Sequence, residues 1–147
     1  MNENPNRDLY PTTTIRVPNL IPLLERLRSQ ERKRVITVLH VRSAEEGEWI
    51  CATAAARLAR GQHAKILGPE SLKPLDMIER AIRGSAKIVF AGEIRYEGDA
   101  RAMRAAATLG IRPVGYIVRE KRKEAENLMT LLGTWSSFDT ELLGTYG

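Results

Sequence analysis

Short β-branched apolar runs alternate with helical segments along this chain of 147 residues. The clearest runs are residues 35–41, 86–91 and 114–118, and residues 64–67 form a shorter candidate. Runs that are apolar on both faces are typical of strands buried in a parallel sheet, whose connecting helices cover it. The alternation therefore predicts an α/β fold in which a three-layer parallel sheet has flanking helices.

Helix boundaries in the sequence are marked by capping residues, glycine and proline. Helices are expected at residues 19–30, from Ser43 to Gly61, from Pro74 to Gly84, at residues 99–109 and at residues 122–132. Residues 1–18, which three prolines interrupt, are expected to form a loose N-terminal arm. Residues 19–147 then make up a single α/β domain, with a last short strand at residues 141–146.

Composition limits the cellular setting of the protein. Cys51 is the only cysteine, which excludes an internal disulfide and is typical of a reducing compartment. No apolar stretch approaches the ~20 residues of a membrane span, and the first ten residues lack the apolar core of a signal peptide. We therefore expect a cytoplasmic protein, with peripheral attachment to the inner membrane as a variant of that prediction.

The net charge of +5 is spread over the chain, and its densest cluster is Arg119, Lys121, Arg122 and Lys123. Short clusters of this kind are usually solvated helix surface. No aromatic residues interleave with these bases to stack on nucleobases. The sequence therefore does not indicate nucleic-acid binding.

The loop after residues 35–41 leads directly into a helix, and this is where parallel sheets bind phosphate groups. Ser43 and Glu46 have the spacing of a capping box, in which the Glu46 side chain reaches back to the start of the helix. A phosphate loop also needs a lysine and a Ser or Thr for Mg²⁺, yet no lysine lies between Arg42 and Arg60. Three glutamates add negative charge instead. The pattern predicts neither catalysis nor a metal site, while binding of ATP with Mg²⁺ stays open.

This region resembles the P-loop domain of bacterial tyrosine kinases and related proteins of exopolysaccharide synthesis and export. The matching residues are Ser43, Ala44, Gly47, Glu48, Leu58 and Ala59. Trp49, Ile50 and Cys51 stand where the family motif has glycine, lysine and serine or threonine. The vestigial cofactor-binding loop that the resemblance implies consists of Ser43, Gly47, Glu48, Trp49, Ile50 and Cys51. The resemblance also implies a protein partner, such as a membrane-bound polysaccharide co-polymerase.

A second resemblance is to the motor ATPases of type II and type IV secretion and of type IV pili. The matching residues are Gly92, Glu93, Ile94 and Arg95, which fit a Walker B-like signature, and Ala106, Ala107 and Gly110 after it. This alignment puts the phosphate loop at residues 11–17, with Arg16 in place of lysine and Val17 in place of serine or threonine. It implies a shortened ATPase relative, or a partner that is a related ATPase.

Few side chains outside the loop suggest chemistry. His40 and His63 are the only histidines, and with one cysteine they do not indicate a metal site. Glu93 and Glu97, after a predicted strand, are candidate general bases or else solvated loop carboxylates. Trp49, at a helix start, is expected either to fill the phosphate pocket or to face a partner.

Three functions stay open from the sequence. The first is a catalytically degenerate P-loop-type protein that acts as a binding or regulatory module in exopolysaccharide or cell-envelope assembly. The second is a shortened secretion or pilus ATPase relative that still binds nucleotide through backbone amides. The third is a structural α/β protein without nucleotide binding, whose similarity to the others is architectural. The missing lysine and metal-binding acids favour a protein that is not an enzyme.

Overall fold

The computed structural model describes residues 7–8, 12–29, 35–60, 65–70 and 72–142. The strands are β1 (Arg7–Asp8), β2 (Thr13–Val17), β3 (Ile36–Val41), β4 (Ile66–Leu67), β5 (Ile88–Glu93), β6 (Arg112–Val118) and β7 (Thr134–Leu142). The helices are α1 (Ile21–Arg28), α2 (Ala44–Ala59), α3 (Pro74–Arg83), α4 (Glu97–Thr108) and α5 (Arg122–Leu132), with a 3-10 turn at Arg119–Lys121.

Within these ranges the seven strands form one sheet in the order β1-β7-β3-β6-β5-β4, and β2 also pairs with β7. Every strand pair is parallel. Each pair of neighbours in sequence from β2 onward is joined through a helix, as parallel strands require. The α/β fold with a parallel sheet, predicted from the alternating pattern, is confirmed.

The sheet lies between two helical layers. β3 is near its centre, and all six of its residues are buried. One face is covered by α1 and α2, whose buried side chains form a core cluster with Leu39, Phe90 and Phe138. The other face is covered by α3, α4 and α5, which form a second cluster with Val38 and Val89. The three-layer arrangement is therefore present as predicted.

The N-terminal arm expected over residues 1–18 is wrong for residues 13–17, which form β2 at the edge of the sheet. Ile15 and Val17 are 0% and 9% exposed, and the strand pairs with β7 from Phe138 to Leu142. The run is β-branched and alternates between buried and exposed positions, so the prolines on either side bound a strand rather than prevent one. The phosphate loop that the second resemblance puts at residues 11–17 is likewise not a loop over residues 13–17.

The last strand also differs from its expected position at residues 141–146. β7 begins directly after Gly133, whose φ of 89° lets the chain turn out of α5, and it runs for nine residues. Ser136 and Thr140 are fully buried on this strand. Each is hydrogen-bonded, Ser136 to the guanidinium of Arg26 and Thr140 to the carboxylate of Glu46. Residues 143–147 lie outside the described part of the chain.

Other helix ends follow the sequence signals closely. α3 begins at Pro74 and is capped by Gly84, and α5 covers the expected residues 122–132. α2 ends at Ala59, while Gly61, its expected terminating residue, lies outside the described residues. None of the helices in the described ranges is long and apolar enough to cross a membrane.

Alanine substitutions at two glycines can test how tightly α4 packs on the sheet. A Cβ at Gly115 in β6 would lie 2.9 Å from side-chain atoms of both Ile94 and Met103, whereas a Cβ at Gly98 in α4 meets nothing within 4 Å. We expect Gly115→Ala to lower the free energy of unfolding by about 1–3 kcal/mol through overpacking. Gly98→Ala, the matched control, is expected to raise it by up to ~1 kcal/mol because alanine favours helix. Urea denaturation measures both, and equal effects would contradict the close packing.

Candidate functional site

The carboxyl ends of β3 and β6 form a topological switch point. These strands are neighbours, but α2 follows β3 on one face of the sheet and α5 follows β6 on the other. The crevice that opens between such diverging connections is where open α/β sheets bind ligands. We call the space between the first turn of α2, Arg119 and Thr140 near the end of β7 the switch-point crevice.

Half of the predicted capping box is present at this crevice. Ser43 has extended backbone angles, and its hydroxyl oxygen accepts a hydrogen bond of 3.2 Å from the amide of Glu46. The Glu46 carboxylate does not complete the box. It accepts a 2.6 Å hydrogen bond from Nε of Arg42 and another from the hydroxyl of Thr140. The glutamate thus ties α2 to β7 and neutralises the nearest cation.

Tyr116 closes the approach to the first turn of α2. A Cβ at Gly47 would lie 2.6 Å from the ring of Tyr116, so only glycine allows helix and ring to come this close. Tyr116 is 2% exposed, and its hydroxyl donates a 2.5 Å hydrogen bond to Oε1 of Glu48. The aromatic ring therefore fills the space between α2 and β6 next to Gly47.

The thiol and the phenol near this helix are both held in their neutral forms. Burial raises the pKa of Tyr116 above its ordinary value of 10.0, and the hydrogen bond to Glu48 adds to the effect. Burial also raises the pKa of the Cys51 thiol, with a smaller contribution from the charge of Glu48. A thiol that stays protonated is a poor nucleophile, so Cys51 serves as a small core residue.

The six residues of the vestigial loop do not share one surface. Ser43, Gly47 and Glu48 border the switch-point crevice, whereas Ile50 and Cys51 are 0% exposed and belong to the core. Trp49 is 43% exposed on the outside of α2, so it does not fill space beside the start of the helix, where the ring of Tyr116 packs against Gly47. Of the two positions expected for Trp49, filling the pocket or lying on the surface, only the surface position agrees with this geometry.

The remaining sequence candidates are placed as follows. Glu93 ends β5 with a side chain only 10% exposed, and it pairs with Arg95 and Lys121. Glu97 starts α4 as a solvated carboxylate paired with Arg101. His40 is buried within β3. His63 lies outside the described residues. Within the described ranges, no group of three or more His, Cys, Asp or Glu side chains could hold a metal ion.

Tyr116 and Thr140 were missed as site residues by sequence reasoning. They reach α2 across 68 and 94 residues of sequence, so no local pattern links them to Glu48 or Glu46. One signal was available, because a tyrosine hydroxyl near the carboxyl end of a strand that is otherwise apolar needs a polar partner once it is buried.

Comparison of the chain with protein-family models, with curated proteins and with solved structures gives no match. The functional argument therefore depends on the geometry of the site alone.

The buried phenol of Tyr116 makes stability depend on pH above about 10. Because its pKa is raised in the folded protein, the unfolded chain loses the proton first, and the free energy of unfolding falls as pH rises through this range. We expect Tyr116→Phe to remove this contribution, making the decline shallower by up to ~1.4 kcal/mol per pH unit. Denaturation at pH 9, 10 and 11 measures the slopes. Tyr96→Phe, which removes a hydroxyl from a 69% exposed tyrosine, should leave the wild-type slope unchanged.

Proposed function

We propose that this chain is a catalytically degenerate P-loop-type protein that acts as a binding or regulatory module. The observation that supports this most directly is the closed approach to α2, where the ring of Tyr116 lies against Gly47. Phosphate recognition at a helix N-terminus depends on exposed amides and close access to the backbone. Here Ser43 takes the amide of Glu46, and the chain's own side chains fill the adjoining space.

The negative charge at the switch-point crevice also disfavours nucleotide binding. Glu46 in the first turn of α2 and Glu48 just after that turn bring two carboxylates to the start of the helix, where a nucleotide would bring further negative charge. Like charges ~4 Å apart repel by about 1 kcal/mol in bulk water and by about 4 kcal/mol at the effective dielectric of a protein surface. The cations beside them are already engaged, Arg42 by Glu46 and Arg119 by the carbonyl oxygen of Thr140.

The outer surface of α2 is suited to a protein contact. Trp49 is exposed there, and Ala52 and Ala56 follow at spacings of three and seven residues on the same exposed side of the helix. A tryptophan beside small side chains can anchor a partner helix, because the small side chains let that helix pack closely against α2. We propose a partner in exopolysaccharide or cell-envelope assembly, either a membrane-bound polysaccharide co-polymerase or a related ATPase, which would hold the protein at the inner membrane.

Nucleotide titration tests the loss of the phosphate site. We expect calorimetry of the purified protein with ATP and GTP, with and without Mg²⁺, to give no binding heat at millimolar nucleotide. The physical reasons are the ring that fills the approach to α2 and the two carboxylates beside it. Micromolar binding that requires Mg²⁺ would contradict the proposal and would favour the ATPase alternative below.

A surface substitution tests the protein contact. We expect Trp49→Ala to weaken the binding of a partner encoded by a neighbouring gene by about 2 kcal/mol or more, because buried tryptophans dominate such interfaces. Its melting temperature should stay near that of the wild type, since Trp49 is exposed. Leu109→Ala is the matched control, because Leu109 is 63% exposed after α4, which covers the other face of the sheet. Equal loss in both variants would argue against a site on α2.

The second candidate function is a shortened secretion or pilus ATPase relative that still binds nucleotide. One observation favours it, namely that Glu93 ends β5 with its side chain nine-tenths buried and oriented by Arg95. A single strand, β6, separates this carboxylate from β3 and the start of α2. The same calorimetric titration separates the two functions, because this alternative requires nucleotide binding and the first one excludes it.

A further inference from the structure

A cleft of about 210 Å³ lies beside the switch-point crevice, at the carboxyl ends of β5 and β6. Its floor is apolar and includes Ile94, Ile117 and Leu128, all of which are buried. Its rim is formed by the turn between β5 and α4 on one side and by the start of α5 on the other. The function proposed first does not use this cleft, and binding there is independent of it; the second candidate function shares only Glu93 with the cleft.

Four charged side chains line the cleft, and their charges balance. Two are carboxylates, Glu93 and Glu124, and two are cations, Arg95 and Lys121. Glu93 lies between both cations, 2.9 Å from Nη2 of Arg95 and 3.8 Å from Nζ of Lys121. Glu124 makes no ion pair with another described residue. The lining thus offers a cationic side that one carboxylate only partly neutralises and a separate anionic group across the rim.

The backbone of the cationic side is held in place. Oδ2 of Asp99, a residue only 7% exposed, accepts hydrogen bonds from the amides of Arg95 and Tyr96 at 3.1 and 3.0 Å. The amide of Ile94 donates to the carbonyl oxygen of Tyr116 at 2.9 Å, which joins the turn to β6. A site fixed in this way loses little conformational entropy when a ligand binds.

The volume of the cleft limits the size of its ligand. Sites for nucleotide-sized or drug-sized molecules typically measure ~300–1,000 Å³, so 210 Å³ is too small for them. The cleft therefore fits a small organic molecule rather than a nucleotide. A simple anion of this size would meet Glu93 and Glu124, and a simple cation would meet Arg95 and Lys121, so the balanced lining favours neither.

We propose that this cleft binds a small zwitterion with an apolar side chain, of the size and chemistry of a free α-amino acid such as leucine. The ligand carboxylate binds to Arg95 and Lys121 in place of part of their pairing with Glu93, and its ammonium group lies toward Glu124. Its apolar side chain covers the floor at Ile117 and Leu128. Each of the three parts of the ligand thus has a partner in the lining.

A series of ligands that differ by one group tests this assignment. Calorimetry on the full chain compares L-leucine with 4-methylpentanoate, which lacks the amino group, with 3-methylbutylamine, which lacks the carboxylate, and with glycine. We expect leucine to bind and each of the other three to bind at least about tenfold more weakly, because each leaves one part of the site unpaired. Equal binding of the acid or of the amine alone would overturn the zwitterion assignment, as would no binding of leucine at ~10 mM.

Variants locate the binding to the cleft. Arg95→Gln and Glu124→Gln should each weaken leucine binding by at least about tenfold, and both side chains are solvent-exposed, so the fold is expected to persist. Lys123→Gln is the matched control, because Lys123 is exposed in the first turn of α5 but does not line the cleft. Equal leucine binding by all three variants would place the ligand elsewhere and overturn the proposal. None of these results depends on whether nucleotide binds, so the proposed function is tested separately.

Discussion

The contact between Gly47 and the ring of Tyr116 determines what the carboxyl edge of this sheet can do. Any side chain at position 47 would bring a Cβ to within 2.6 Å of the ring, so the absence of one lets α2 lie directly against β6. At this separation the tyrosine hydroxyl reaches Glu48. The same placement of α2 brings Glu46 to Arg42 and to Thr140 of β7. One close approach therefore positions the polar groups that join two strands of the sheet, β6 and β7, to a single helix.

Those polar groups are already hydrogen-bonded to one another within the chain. A ligand that enters the switch-point crevice would have to break these bonds, which costs free energy. A hydrogen bond to a charged group contributes about 1.5–3 kcal/mol, and a buried group left without its partner loses the full cost of desolvation. A phosphate group entering the crevice would have to displace the Tyr116 hydroxyl from Glu48 or the Arg42 guanidinium from Glu46. In a phosphate loop the backbone amides are free to bind the ligand, whereas the start of α2 is joined to the sheet by its own side chains.

The sequence predicted the parts of this structure that depend on local pattern and missed those that depend on distant partners. The apolar runs that form β3, β5 and β6 are recognisable from their composition alone. Capping residues, glycine and proline predicted the bounds of α5 and the start of α3. β7 was missed over most of its length because a strand containing Ser136 and Thr140 looks like a loop until Arg26 and Glu46 supply their hydrogen bonds. The site was foreseen as a helix start with the wrong charge, but the ring that fills it comes from a strand 68 residues away from its partner in sequence.

Glu93 links the switch-point crevice to the neighbouring cleft. Its carboxylate raises the pKa of the Arg95 guanidinium, with which it is hydrogen-bonded, and it makes a smaller contribution to the raised pKa of Tyr116. Negative charge opposes ionisation of a phenol, so Glu93 acts in the same direction as burial and as the hydrogen bond to Glu48, and all three keep the Tyr116 hydroxyl protonated.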